Sequence, residues 1–259
     1  MASGDLPRTA LLPALALPAD ERTQRLAAIR SEALARLGTA DFTHLSPMEL
    51  EAWFDAYDAA FFGGAVRRAL QQCNAPLGFA FSSRLTRSAG LTKQFRPRRV
   101  KPRPRLPGAR YEIVLSRTLL LHSFNGVERV VRVNGLPCHD RLEAALRIFE
   151  HELIHLLEML EYGVSSCDQL PFRDAARTLF DHQATKHELV MPHEHASATR
   201  GLAIGDRVQF DTPQGPVVGL LNRITQRATV LVEHPRGVRY RDGRTYVKYY
   251  VPLALLKRV

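Results

Sequence analysis

The apolar positions between residues 141 and 163 recur at intervals of three and four. Leu142, Leu146, Phe149, Leu153, Leu156 and Leu160 form one stripe, as expected of a helix with one buried face. Asp140-Arg141-Leu142-Glu143 reads as a capping box that starts this helix at about Arg141, and Gly163 ends it. Glu143, Glu150, Glu158 and Glu161 gather on a second, polar side. Upstream, residues 20–37 predict a helix ending at Gly38. A second capping box, Ser46-Pro47-Met48-Glu49, opens a helix with Leu50, Trp53, Phe54, Tyr57 and Phe61 on one core-forming face, stopped by Gly63-Gly64. Residues 78–85, the segment around Leu91, and 111–115 read as strands, with Gly90 as a bulge or turn. Residues 127–133 lead as a strand or hairpin through Asn134-Gly135 to the long helix, and a short helix follows at 171–181.

From Gly201 the texture changes. Residues 207–210, 217–224, 228–233 and 245–251 are short β-rich runs separated by Pro- and Gly-containing turns, the pattern of a small all-β barrel of the SH3 type. The chain thus divides into a disordered N-terminus with a leading helix (1–44), an α+β domain (45–190), a linker (191–200) and a small basic β-barrel (201–259).

A chain of 259 residues with 45% hydrophobic residues has ample material for such cores. The net charge of +10 is less ordinary. It favours a polyanionic partner, nucleic acid before membrane, because no amphipathic basic helix stands out. Three widely spaced cysteines, Cys73, Cys138 and Cys167, exclude a zinc ribbon and a disulfide framework and indicate a reducing compartment. The weakly apolar stretch 10–19 is interrupted by Pro13 and Pro18 and lacks a basic lead, so no signal peptide is expected. The expected location is cytoplasmic, nucleoid-associated in a bacterium, and no segment is long enough to span a membrane.

The strongest chemical signal lies inside the long helix: His151-Glu152-Leu153-Ile154-His155. Histidines four apart lie one turn above each other on one helical face, roughly opposite the leucine stripe and beside Ile148 and Met159. Two imidazoles there can grip one Zn²⁺, with Glu152 beside them as general base for an attacking water. This chemistry cleaves peptide bonds.

With the motif go other segments in a characteristic order. These are residues 57–64 (Tyr-Asp-Ala-Ala-Phe-Phe-Gly-Gly), Phe81-Ser82-Ser83-Arg84-Leu85-Thr86 with Ser88-Ala89-Gly90, 111–116, Glu150 to His155, and Lys186-His187. Over about residues 45–190 the chain resembles the SprT-like zinc metalloproteases, the Spartan-related family. The resemblance implies a gluzincin-like peptidase fold, three protein ligands on zinc, and attachment to DNA in several members. In the family the third ligand, usually His, precedes an aromatic residue by four. Here Phe172 fits the aromatic and Asp168 stands in the ligand's place. Asp168 is therefore the first candidate, with Cys167 and His182 as alternatives. His187 matches a family histidine and implies a supporting position behind or beside the metal.

Residues 93–110 hold eight basic residues, four prolines and no acid, and read as a flexible arm. Lys93, Arg96, Arg98, Arg99, Lys101, Arg103 and Arg105 on this arm, with Arg223 and Arg227 on the barrel, are the candidate contacts to DNA or RNA phosphates. Tyr240, Tyr246, Tyr249 and Tyr250 are candidates for stacking on bases. The expected function is a zinc metalloendopeptidase acting on DNA-bound or crosslinked proteins. The alternative is a non-catalytic nucleic-acid- or protein-binding module on a peptidase-like scaffold.

Overall fold

A computed structural model of the chain describes residues 11–12 and 17–259. The fold is mixed α+β around two hydrophobic cores. The first is built by α1 (Ala19–Leu37), α2 (Pro47–Phe62), α3 (Ala65–Gln72), β1 (Leu77–Ser82), β2 (Gly90–Phe95), β3 (Arg110–Ser116), α4 (Arg117–His122), β4 (Val131–Val133), β5 (Leu136–Cys138), α5 (Arg141–Tyr162) and α6 (Leu170–Phe180). The disorder expected for residues 1–20 falls mostly outside the described residues. The leading helix α1 is no appendage, since its Ile29 and Ala33 are buried in this first core.

Helix α5 is the axis of that core. The Asp140 carboxylate accepts the Glu143 backbone N–H at 2.8 Å, and Gly163 closes the helix at φ 81°. All six members of the leucine stripe are buried. The polar side departs from expectation: Glu150 and Glu158 are buried too, because each finds hydrogen-bond partners from other elements.

A three-stranded sheet in the order β1-β3-β2 lies against α5. β1 and β3 run parallel, while β2 is antiparallel to β3 and forms one edge of the sheet, with β1 at the other. Gly90 is the first residue of β2, where a bulge or turn was expected. Asn134 (φ 54°) and Gly135 (φ 82°) form the tight turn of the β4–β5 hairpin. Two consecutive residues at positive φ match the twist of the flanking strands.

The basic segment between β2 and β3 is not a free arm. The Arg105 N–H donates to the Leu160 carbonyl at 2.9 Å, Gly108 N–H donates to the Cys73 carbonyl, and Leu106 and Ala109 are buried. A Cβ on Gly163 would come within 2.5 Å of the Arg103 backbone, so this loop packs onto the end of α5. Local composition predicts disorder there. Apolar anchors at Leu106 and Ala109 override it.

Residues 191–200, expected as linker, form helix α7 (Pro192–Arg200). Pro192 suits the first helical turn. Met191 packs against the first core and Ala196 is buried in the second, so this segment docks the two units. The second unit is an antiparallel sheet of β6 (Arg207–Thr212), β7 (Gly215–Ile224), β8 (Ala228–Arg239), β9 (Thr245–Val251) and β10 (Lys257–Arg258), in the order β10-β6-β7-β8-β9. The strands predicted after residue 201 were expected to close as a barrel. They do not: among the described residues β9 and β10 remain unpaired edges. The apolar face is instead covered by α7 and by Leu253 and Leu256 near the end of the chain. Among the described residues no helix is long and apolar enough to cross a membrane.

Candidate metal centre and its cleft

Halfway along α5, His151 and His155 project from the helix towards the loop that follows Gly163. Their Nε2 atoms are 3.2 Å apart. Cys167 in that loop completes the group: one ligand atom from each of the three residues lies within 4.8 Å of the others. Phe172 packs against both imidazoles, with ring centroids 4.8 and 4.5 Å away, and so fixes their spacing from the α6 side.

The imidazole environments suit ligands to a cation. Burial pushes His151 down to about 3, helped by His155, and His155 down to about 4, so both rings are neutral and carry a lone pair. His155 Nδ1 lies 2.6 Å from Ser165 Oγ, which in turn donates to Glu158 Oε2 at 2.5 Å. With its hydroxyl proton directed at Glu158, Ser165 accepts from His155 Nδ1–H. That leaves the Nε2 lone pair facing His151 and Cys167, the tautomer that a metal requires. His151 Nδ1 is buried with no hydrogen-bond partner. The Cys167 thiol is raised by burial and by neighbouring Asp168, so it becomes a thiolate only against a cation.

The group does not contain the first candidate for third ligand. Asp168 is exposed and stands outside the group, while its neighbour Cys167 turns into the cleft. The turn after Gly163 decides which of the two adjacent side chains points inwards. His182 is also excluded from the group. It is buried at the end of α6, with Nε2 2.8 Å from Glu150 Oε2 and 3.4 Å from Asn134 Nδ2. Glu150 also accepts from the Tyr57 hydroxyl at 2.7 Å and lies 3.2 Å from Arg147. Burial opposes ionisation of Glu150, but Arg147, His182 and Tyr57 together hold its carboxyl below the ordinary value. This network locks α2, α5 and the end of α6 behind the histidines.

Glu152 lies between the two histidines in sequence and faces β2. Thr92 Oγ1 is 2.8 Å from Glu152 Oε2 and 2.8 Å from the Glu152 carbonyl. Burial raises the Glu152 carboxyl to about 8, against the lowering effect of Thr92. Such a group can take up and release a proton near neutral pH.

The cleft around these residues has a volume of about 640 Å³. Its walls include Gly90, Leu91 and Thr92 of the edge strand, Ile148 and Met159 of α5, and His187. His187 is half-buried, joins the hairpin through a bridge to Val133, and places Nε2 3.3 Å from the Arg87 carbonyl. It therefore borders the cleft without joining the ligand group. Ser165, Glu158 and Thr92 were missed by sequence reading. Their roles depend on loop and sheet contacts that no periodicity encodes.

The candidate nucleic-acid contacts are scattered. Lys93 is paired with Glu112 across β2–β3 at 2.8 Å, and Arg105 is half-buried, so neither is a free phosphate ligand. Arg96 donates to the Val100 carbonyl at 3.2 Å. Arg98, Arg99, Lys101 and Arg103 are exposed on the loop. Arg223 and Arg227 meet Arg84 of the first unit in a groove that also holds Tyr250, which is 64% exposed. The other tyrosines are engaged: Tyr246 is buried, Tyr240 packs edge-on against it, and Tyr249 packs on Phe210. No protein-family model, no curated protein and no solved structure matches this chain.

Proposed function

We propose that this protein is a zinc metallopeptidase of SprT-like, gluzincin-like type. The observation that carries the reading is the juxtaposition of His151, His155 and Cys167, with their ligand atoms within 4.8 Å, beside the buried Glu152 carboxyl in one cleft. Two neutral imidazoles and a thiol form a soft nitrogen–sulfur donor set, which fits zinc better than a hard oxygen-seeking cation. Three protein ligands leave a fourth position open, the arrangement of a catalytic rather than a structural site. Zinc bound there supplies Lewis acidity that activates water and polarises a substrate carbonyl.

The chain's own groups do the rest. Glu152 takes the proton from the attacking water and hands it to the amide nitrogen as the C–N bond breaks. Thr92 holds the carboxyl against β2 at the wall of the cleft. The edge of β2 can take an extended peptide as an added strand, with Leu91, 44% exposed, beside it. His187 and Met159 bound the space for substrate side chains.

The reading extends to association with DNA or RNA. It is supported by the net charge of +10 and by the groove of Arg84, Arg223 and Arg227 with exposed Tyr250. Its substrates would then be proteins bound or crosslinked to nucleic acid.

Cleavage of casein by the purified full chain tests the peptidase reading. Activity should disappear with a zinc chelator and return with added Zn²⁺. Zinc binding without any cleavage would instead mark a non-catalytic binding module. Binding of a short oligonucleotide should fall steeply with salt, as expected when phosphate contacts dominate, and should weaken in R223Q/R227Q. Salt-independent binding would contradict the nucleic-acid part.

A further inference from the structure

Beside the catalytic cleft lies a second pocket of about 350 Å³, between α6 and the 182–186 segment. The two share a wall: Thr185 and Lys186 line both. Three cations line it, Arg173 and Arg177 one turn apart on α6 and Lys186 opposite, and no acidic residue does. Among the described residues none of these three cations has a carboxylate partner. His182 also lines the pocket. Its side chain is 1% exposed, its Nε2 is taken up by Glu150, and its Nδ1 has no partner.

Arg173, Arg177 and Lys186 are exposed, and a concave site that gathers three such cations and no anion attracts a negatively charged ligand. We propose that this pocket is a subsite for an acidic residue of the substrate peptide, whose carboxylate is received by Arg173, Arg177 and Lys186. The inference rests on the peptidase reading for the peptide's position but not for the pocket's charge. Continuity with the cleft favours a substrate side chain over a nucleic-acid phosphate. Gly90, Leu91 and Thr92 of β2 and the shared wall at Thr185 and Lys186 line the same cleft, whereas the groove of Arg84, Arg223 and Arg227 is a separate basic surface. Guanidinium groups one helical turn apart can grip both oxygens of one carboxylate.

The test uses the zinc-supplemented full chain carrying Glu152→Gln, so that peptides bind without being cut. A series of fluorescent peptides carries Glu or Gln at each successive position, and binding is read by fluorescence anisotropy. At one position the Glu peptide should bind about tenfold more tightly than its Gln twin, the gain expected of a charge-assisted contact. R173Q/R177Q should erase that difference and leave Gln-peptide binding unchanged. Equal binding of Glu and Gln peptides at every position would overturn the proposal. So would a double variant that loses oligonucleotide binding while the Glu preference persists, since that would assign the pocket to phosphates. If the Glu preference is found but the native chain cleaves no peptide, the subsite stands and the peptidase reading falls.

Discussion

Glu152 fills the space that a side chain on Gly90 would occupy. A Cβ there would lie 2.5 Å from Glu152 Oε1 and 2.7 Å from its Cγ. The glycine is thus a cradle: it lets the edge strand approach α5 closely enough for Thr92 to hold the carboxyl.

Gly90→Ala should therefore displace Glu152 while leaving the metal ligands in place. Peptide cleavage should fall by about 10- to 100-fold, the cost of misplacing a positioned base, with zinc affinity unchanged. Parallel assays of kcat/KM and zinc binding check this. Activity retained at the native level would show that the cradle has no bearing on catalysis.

Adjacent residues in the 164–169 loop should behave oppositely towards metal. Cys167→Ala should weaken zinc binding on the order of 100-fold, whereas Asp168→Ala should leave it within about twofold. Ser165→Ala should cost about tenfold, because it removes the acceptor that fixes the His155 tautomer. Competition titrations against a chelating dye give all three values. Equal losses in Cys167→Ala and Asp168→Ala would contradict the assignment of Cys167.

These sites differ in how legible they were. The span of α5, its cap and its leucine stripe are local properties, and the i, i+4 placement of His151 and His155 follows from them. The choice between Asp168 and Cys167 depends on how one loop turns, which neither pattern nor charge encodes. Glu150 and Glu158 look like a solvated face in sequence, yet Tyr57, His182 and Ser165 bury them through tertiary hydrogen bonds. The same holds for the basic loop: its composition reads as disorder, but Leu106 anchors it. The strands after residue 201 were evident, whereas α7, which packs Ala196 into the core of that sheet, has an apolar signal too weak to distinguish it from a linker.

Helix α7 also carries one half of a stacked histidine pair. His122 of α4 and His195 of α7 stack with centroids 4.1 Å apart and planes at 8°. Burial pushes His122 down to about 4, with His195 adding to the effect, and burial and Arg200 lower His195. A folded-state value below the unfolded one, about 6.5, means that protonation favours the unfolded chain. This contribution to stability is intact above about pH 6.5 and is lost as pH falls towards 4. Melting temperatures at pH 7.5 and pH 5 should drop less for H122F/H195F than for the native chain. Equal drops would show that the stack does not titrate on unfolding.

In the proposed mechanism Glu152 transfers the proton beside a metal that it does not bind. The direct measurement is casein cleavage by the native chain and by Glu152→Gln, each at matched zinc content. We expect about one zinc per chain in both, and cleavage lower by at least ~10²-fold in the variant. Native-rate cleavage by Glu152→Gln, or loss of its zinc, would contradict the account.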